Sequence, residues 1–159
     1  MKTLLHRSLT VLTALAVVAT AAQSQAKDPS IGTWVLNVAK SSGAAATKPK
    51  SGTRTYAASG DKLSLAAEVV GADGKTTKTS FTAAADGKDY AYTGDANADM
   101  IAIKRIDANT VEATLKKGGK VVSTATRAVS KDGKTLTISV ESKDAKGAPV
   151  KSVSVWDKK

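Results

Sequence analysis

Hydrophobic and polar residues alternate along much of the chain that follows residue 30. In the segments 62–70, 110–117 and 134–142, apolar side chains recur at every second position, and the positions between them are mostly polar. A period of two is typical of strands in an antiparallel sheet with one buried face. No stretch of this region has the spacing of an amphipathic helix, so the pattern predicts an all-β protein.

Turn residues divide the pattern into short strands. The segments 72–75, 85–88 and 131–134 each contain Asp-Gly-Lys. Asp-Gly is a strong hairpin signal, because glycine accepts the positive φ that a tight turn requires. The predicted strands are 33–38, 53–59, 62–70, 76–84, 88–93, 100–106, 110–117, 120–130, 134–142 and 150–157.

Short strands joined by tight turns leave two architectures, a sandwich and a meandering barrel. We favour the barrel, because closure removes exposed sheet edges. The fold class is therefore all-β, a single antiparallel meander barrel of about 8–10 strands formed by residues 27–159. The segment 39–52 is the one long connector, and we expect it to cross or skirt one mouth of the barrel.

The N-terminus has the pattern of a secretory signal peptide. Lys2 and Arg7 precede an uncharged run that reaches Ala26, and its apolar centre is shorter than the roughly 20 residues that a membrane-spanning helix needs. We predict a signal-peptide helix over residues 1–26 with cleavage after Ala26; the alternative is an uncleaved membrane anchor. The expected location is the periplasm or the medium.

Composition then limits the chemistry. Cleavage removes His6, the only histidine of a chain without cysteine, and lowers the formal net charge from +10 to +8. Residues 27–159 therefore lack Ser-His and Cys-His catalysis and the usual zinc, copper and haem ligands. Catalysis by carboxylates alone remains, but Glu68, Glu112 and Glu141 are expected to point outward into solvent. We therefore expect no enzyme, no metal and no cofactor.

Two segments carry a family resemblance. Gly32-Thr33-Trp34 resembles the Gly-x-Trp opening of lipocalins, and residues 153–158, Val-Ser-Val-Trp-Asp-Lys, resemble the closing strand of fatty-acid-binding proteins. Residues 87–159 also resemble small exported lipocalin-like proteins of proteobacteria. The resemblance implies a barrel of the calycin superfamily in which Gly32 and Trp34 close one end.

The chain also departs from this pattern. Ser154 stands where the fatty-acid-binding proteins carry an arginine that pairs with a carboxylate, and Trp156 stands where they carry a tyrosine. No segment is long enough for their helical lid. The resemblance therefore implies a barrel more firmly than it implies a fatty-acid ligand.

Candidate ligand contacts follow from the face that Trp34 defines. Arg127 could meet a ligand carboxylate, or it could stack on Trp34 as in lipocalins. Arg54 and Tyr56 are expected on the same inner face. Arg54-x-Tyr56 has the spacing of the fatty-acid-binder motif but lies on an early strand, so we interpret it as coincidence. Small inward side chains could leave a cavity or let the barrel fill itself. The candidate ligand-binding residues are Tyr56, Phe81, Tyr90, Tyr92, Arg127 and Trp156.

Two functions remain open. The first is an exported monomeric barrel that binds a small hydrophobic or amphipathic molecule. The second is a solid-cored envelope protein whose lysines, such as Lys116, Lys117 and Lys120, contact anionic lipid or glycan. No specific nucleic-acid partner is expected, because no aromatic stacking platform interleaves with the cations.

Overall fold

The computed structural model describes residues 28–43, 48–144 and 146–159. The predicted signal peptide, its helix and its cleavage site lie outside these residues. Within them, no helix is long and apolar enough to cross a membrane.

Ten strands account for most of the described chain, in agreement with the ten that the sequence predicts. The strands are β1 (Gly32–Ser42), β2 (Ser51–Ser59), β3 (Lys62–Val70), β4 (Thr76–Ala83), β5 (Asp86–Thr93), β6 (Met100–Arg105), β7 (Thr110–Lys117), β8 (Lys120–Val129), β9 (Thr135–Lys143) and β10 (Pro149–Lys158). Most bounds fall within two residues of the prediction.

The strands form a closed antiparallel barrel in which each strand pairs with the next and β1 pairs with β10. Leu36 lies opposite Trp156 where the first and last strands meet. This arrangement confirms the predicted meander barrel. One end, here called the closed end, holds the start of β1 and the turns after β2, β4, β6 and β8; the other, the open end, holds the remaining connections.

The Asp-Gly turns form as their chemistry predicts. Gly74 and Gly133 have φ angles of +82° and +70°, which L side chains rarely adopt. Asp73 and Asp132 each accept a hydrogen bond from the backbone amide two residues further on, at 3.0 Å. Such local bonds explain these aspartates without any functional role.

Strand β1 is longer than predicted, because a bulge continues it to Ser42. The pairing of β1 with β10 shifts register between Asn37 and Ser42. The buried Ser41 hydroxyl bridges the irregularity: it donates to the carbonyl of Asn37 at 2.7 Å and accepts from the amide of Val155 at 3.0 Å. The predicted connector 39–52 is correspondingly shorter.

The hydrophobic core fills the closed half of the barrel. Trp34, Leu136 and Trp156 are almost fully buried at the junction of β1, β10 and β9. The wall of the barrel beside this core includes its shortest strand pairing, that of β4 with β5, which consists of Ser80 with Thr93 and Phe81 with Tyr92. The full core cluster is Trp34, Leu36, Tyr56, Leu63, Leu65, Ala67, Phe81, Ala83, Ile101, Ile103, Val111, Val129, Leu136, Ile138 and Trp156.

Candidate ligand-binding site

Trp34 seals the closed end. Its side chain has 0% exposure, and its indole Nε1 donates a hydrogen bond to the carbonyl of Ser30 at 2.7 Å. The ammonium of Lys158 lies 5.0 Å from the ring centroid. A Cβ at Gly32 would lie 3.0 Å from the Lys158 side chain, so glycine gives this lysine room to cross the end of the barrel.

Arg127 is held inside the barrel by groups of the chain itself. Its Nη2 lies 3.5 Å from the carboxylate of Asp28, which also pairs with Arg105 at 2.8 Å. Its guanidinium lies 4.6 Å from the ring centroid of Tyr56. The aromatic partner of Arg127 is therefore Tyr56, rather than the Trp34 that the lipocalin resemblance implied.

Asp28 is the internal counterion of this arginine pair. Burial raises the pKa of the Asp28 carboxyl, but the hydrogen bonds from Ser30, the charge of Arg127 and the hydrogen bond from Arg105 outweigh burial, so the pKa lies below its ordinary value. The carboxylate therefore stays ionised at neutral pH, which satisfies the charge of the buried Arg127.

Arg54 is the second interior arginine, and its surroundings are different. Its guanidinium stacks on Trp156 at 4.9 Å from the ring centroid, and its Nη1 donates to the hydroxyl of Tyr56 at 3.3 Å. Its Nε is buried and has no hydrogen-bond partner. Among the described residues, no carboxylate lies within ion-pair distance of Arg54.

The hydroxyl of Tyr56 lies between these two cations. Burial raises its pKa, but the positive charges of Arg54 and Arg127 more than compensate, so the pKa lies below its ordinary value of about 10. The charge of Arg54 also acts on Tyr92, whose pKa burial raises in spite of that charge. Arg54 therefore faces the barrel interior, towards β5.

The open half of the barrel contrasts with the filled closed half. Its inward-facing side chains pack against the core and yet remain partly exposed; they include Val38, Val69, Ala113, Ala125 and Val140. Ser154, also partly exposed, accepts a hydrogen bond from Nε1 of Trp156 at 2.9 Å. The interior of the open half is therefore lined by several small side chains, among them Ala113, Ala125 and Ser154.

The six predicted ligand contacts divide between these regions. Tyr56, Phe81, Arg127 and Trp156 are buried. Tyr92 is partly exposed beside Phe81, with 6.4 Å between the ring centroids. Tyr90 lies nearer the closed end, where its hydroxyl donates to Asp86 at 3.0 Å and Lys62 lies 5.1 Å from its ring. Only some of the six therefore lie close together. Arg54, which is not among the six, contacts two of them, Tyr56 and Trp156.

The mid-strand glutamates lie on the outer face. Glu68 pairs with Lys78 at 3.1 Å and Glu141 pairs with Lys151 at 2.7 Å, and both pairs are exposed. Glu112 is also exposed. In the described part of the chain, no group of three or more Asp, Glu, His or Cys side chains could hold a metal ion.

Two open depressions lie on the outside of the sheet. One of about 690 Å³ runs along β2 to β4 and is lined mainly by outward residues such as Thr53, Glu68 and Lys78, and Gly52 and Ala67 of the inner face also border it. The other, of about 420 Å³, continues over β2 to β5 and is lined by small residues such as Ala57 and Ser64. Both are open to solvent.

Comparison with known proteins relates the chain to others by its fold. No protein-family profile and no curated protein matches the sequence. Among solved structures, the chain is similar to the ileal bile acid-binding protein of zebrafish, complexed with cholic acid: the TM-score is 0.53 and the identity 10%, over 82% of this chain and 99% of that one. At this identity the likeness concerns the fold alone: the chain shares with that protein the architecture of a closed antiparallel barrel, here of ten strands.

Proposed function

We propose that this chain is an exported protein that binds a small hydrophobic or amphipathic molecule in the open half of its barrel. The observation that carries the proposal is the contrast between the two halves. The closed half is filled by a continuous core, whereas the inner face of the open half is lined by small, partly exposed side chains. Concave sites with mostly apolar walls and few polar groups are typical of small-molecule binding.

The role is a binding role rather than a catalytic one. The turn carboxylates of Asp73, Asp86 and Asp132 accept hydrogen bonds from backbone amides at 3.0 Å, and Glu68 and Glu141 pair with lysines. These contacts give each of these acids a structural partner on the surface, at a distance from the interior.

Filling the open half tests the proposal. Ala125 faces the interior and packs against the core, whereas its neighbour Thr126 is exposed on the outside. Ala125→Phe should abolish the fluorescence enhancement of N-phenyl-1-naphthylamine, a neutral hydrophobic probe, and the matched Thr126→Phe should leave it unchanged. Equal probe binding by both variants and the wild type would place the probe outside the barrel and contradict the proposal.

The basic surface supports a second candidate, contact with anionic lipid or glycan. Lys120, Lys143 and Lys146 lie at the open end, and none forms an ion pair with a carboxylate of a described residue. Binding to phosphatidylglycerol vesicles that disappears with added salt, without binding to phosphatidylcholine vesicles, would support this candidate. Absent or salt-independent binding would remove it.

Export rests on residues 1–26. Expression of the full chain in a bacterial host should place the protein in the periplasm or the medium with Lys27 at its N-terminus. A protein that stays in the membrane with Met1 intact would show an uncleaved anchor instead, and intact mass spectrometry of the fractions distinguishes the two.

A further inference from the structure

The two interior arginines differ in how their charges are balanced. Arg127 has the carboxylate of Asp28 at 3.5 Å, whereas Arg54 has only the Tyr56 hydroxyl and the Trp156 ring. Arg54 is partly buried, and removing a cation from water is unfavourable where no ion pair offsets its desolvation. The unbalanced charge inside the barrel therefore belongs to Arg54.

The hydrogen-bonding groups of Arg54 point to the same conclusion. Nη1 donates to the Tyr56 hydroxyl, while the buried Nε has no partner. A guanidinium can bind a carboxylate with two parallel hydrogen bonds, and the edge formed by Nε and Nη2 presents such a fork. The unpartnered Nε lies on that edge.

Small or partly exposed side chains lie between Arg54 and the open end of the barrel. Gly52 leaves room for the Trp156 ring on which Arg54 stacks, because a Cβ at residue 52 would lie 2.9 Å from the Cη2 atom of Trp156. The partly exposed Val69, Ala113 and Ala125 belong to the open half above this level. If the charged head group of a ligand bound Arg54, the apolar chain of that ligand would lie among these small side chains.

We propose that the ligand is an amphipathic anion and that its carboxylate binds Arg54, while Arg127 keeps its internal partner Asp28. This inference rests on the proposed binding function and specifies the ligand class of the same site. It assigns the ligand contact to a residue of β2, whereas the fatty-acid-binder pattern would place one at Ser154 of β10, where this chain has a serine.

The test compares two ligands that differ only in the head group, decanoate and 1-decanol. Isothermal titration of the wild type should show that decanoate binds about tenfold or more tightly than the alcohol, as expected for a charge-assisted hydrogen-bonded pair. Arg54→Gln should reduce decanoate binding to the level of decanol and leave decanol binding unchanged. Lys120→Gln, at the open rim, should keep the preference and so exclude a general effect of net charge.

Near-ultraviolet circular dichroism shows whether Arg54→Gln folds. If it does not fold, Arg54→Lys is the second variant, which keeps the positive charge. It should retain part of the preference, because an ammonium lacks the fork. Equal binding of decanoate and decanol by the wild type, or a preference that survives Arg54→Gln, would overturn the inference and leave the binding function intact. Absence of binding by either ligand would overturn both.

Discussion

Replacing Asp28 with asparagine should destabilise the barrel, because it leaves the buried Arg127 without a counter-charge. The side chain of Arg127 is 9% exposed and that of Asp28 is 15% exposed. Removing one partner of a buried pair costs about 3–5 kcal/mol. Asparagine keeps an oxygen that can accept the hydrogen bonds from Ser30, which recovers about 1 kcal/mol. The expected loss of unfolding free energy is therefore about 2–4 kcal/mol.

Asp89→Asn is the matched control. Asp89 pairs with Lys116 at 2.8 Å, but the two side chains are 40% and 25% exposed, and such surface pairs contribute about 0–1 kcal/mol. Urea unfolding followed by tryptophan fluorescence should shift the midpoint by about 1–2 M for Asp28→Asn and by little for the control. Equal effects of the two substitutions would refute the idea that burial makes the Asp28 pair important.

The pH dependence of the stability difference between the wild type and Asp28→Asn gives an independent check. Because the folded-state pKa of Asp28 is lowered, its stabilisation is present above the unfolded pKa of about 3.9 and is lost as the pH falls through the folded pKa. The stability difference between wild type and Asp28→Asn should hold at neutral pH and shrink below about pH 4. A difference that persists in acid would show that the substitution acts through packing instead.

Three further predictions concern other parts of the barrel. Gly94→Ala should lower the unfolding free energy by more than about 3 kcal/mol, since the new Cβ would lie 1.7 Å from the carbonyl oxygen of Lys78. Gly87 also has a positive φ but open space around it, so Gly87→Ala should cost only about 1–2 kcal/mol. Equal shifts of the melting temperature would contradict the close contact at Gly94. Ser41→Ala should cost about 1–3 kcal/mol in urea unfolding, because it leaves a strand amide unpaired, and an unchanged midpoint would remove its bridging role. Ultraviolet titration should show one of the three tyrosines ionising below the ordinary value of about 10, and Tyr56→Phe should abolish that step; an early step that survives would assign it to another tyrosine.

Local chemistry explains why the strands could be predicted from sequence. Asp-Gly turns and period-two alternation are decided by neighbouring residues, so strands such as 62–70 and 110–117 were predicted with their observed bounds. The end of β1 was not predicted, because residues 39–42 do not alternate. The Ser41 side chain continues the strand only through a contact with β10, which is distant in sequence.

The contacts of the interior arginines depend more on the long-range pairing of strands than on local pattern. Alternation placed Arg54 on the inner face, but its spacing to Tyr56 was interpreted as coincidence. Only the closed order of strands brings β2 and β10 to either side of β1, so that Arg54 stacks on Trp156. The partner of Arg127 was missed in the same way, because Asp28 precedes the first strand and no local pattern relates them.

A crystal structure of the protein with decanoate tests the central claim most directly. The expected density lies inside the open half, with the carboxylate within hydrogen-bond distance of Nε of Arg54 and the chain between the small side chains above Trp156. An interior closed by protein side chains, with decanoate bound in the outer depressions over β2 to β5, would contradict the claim.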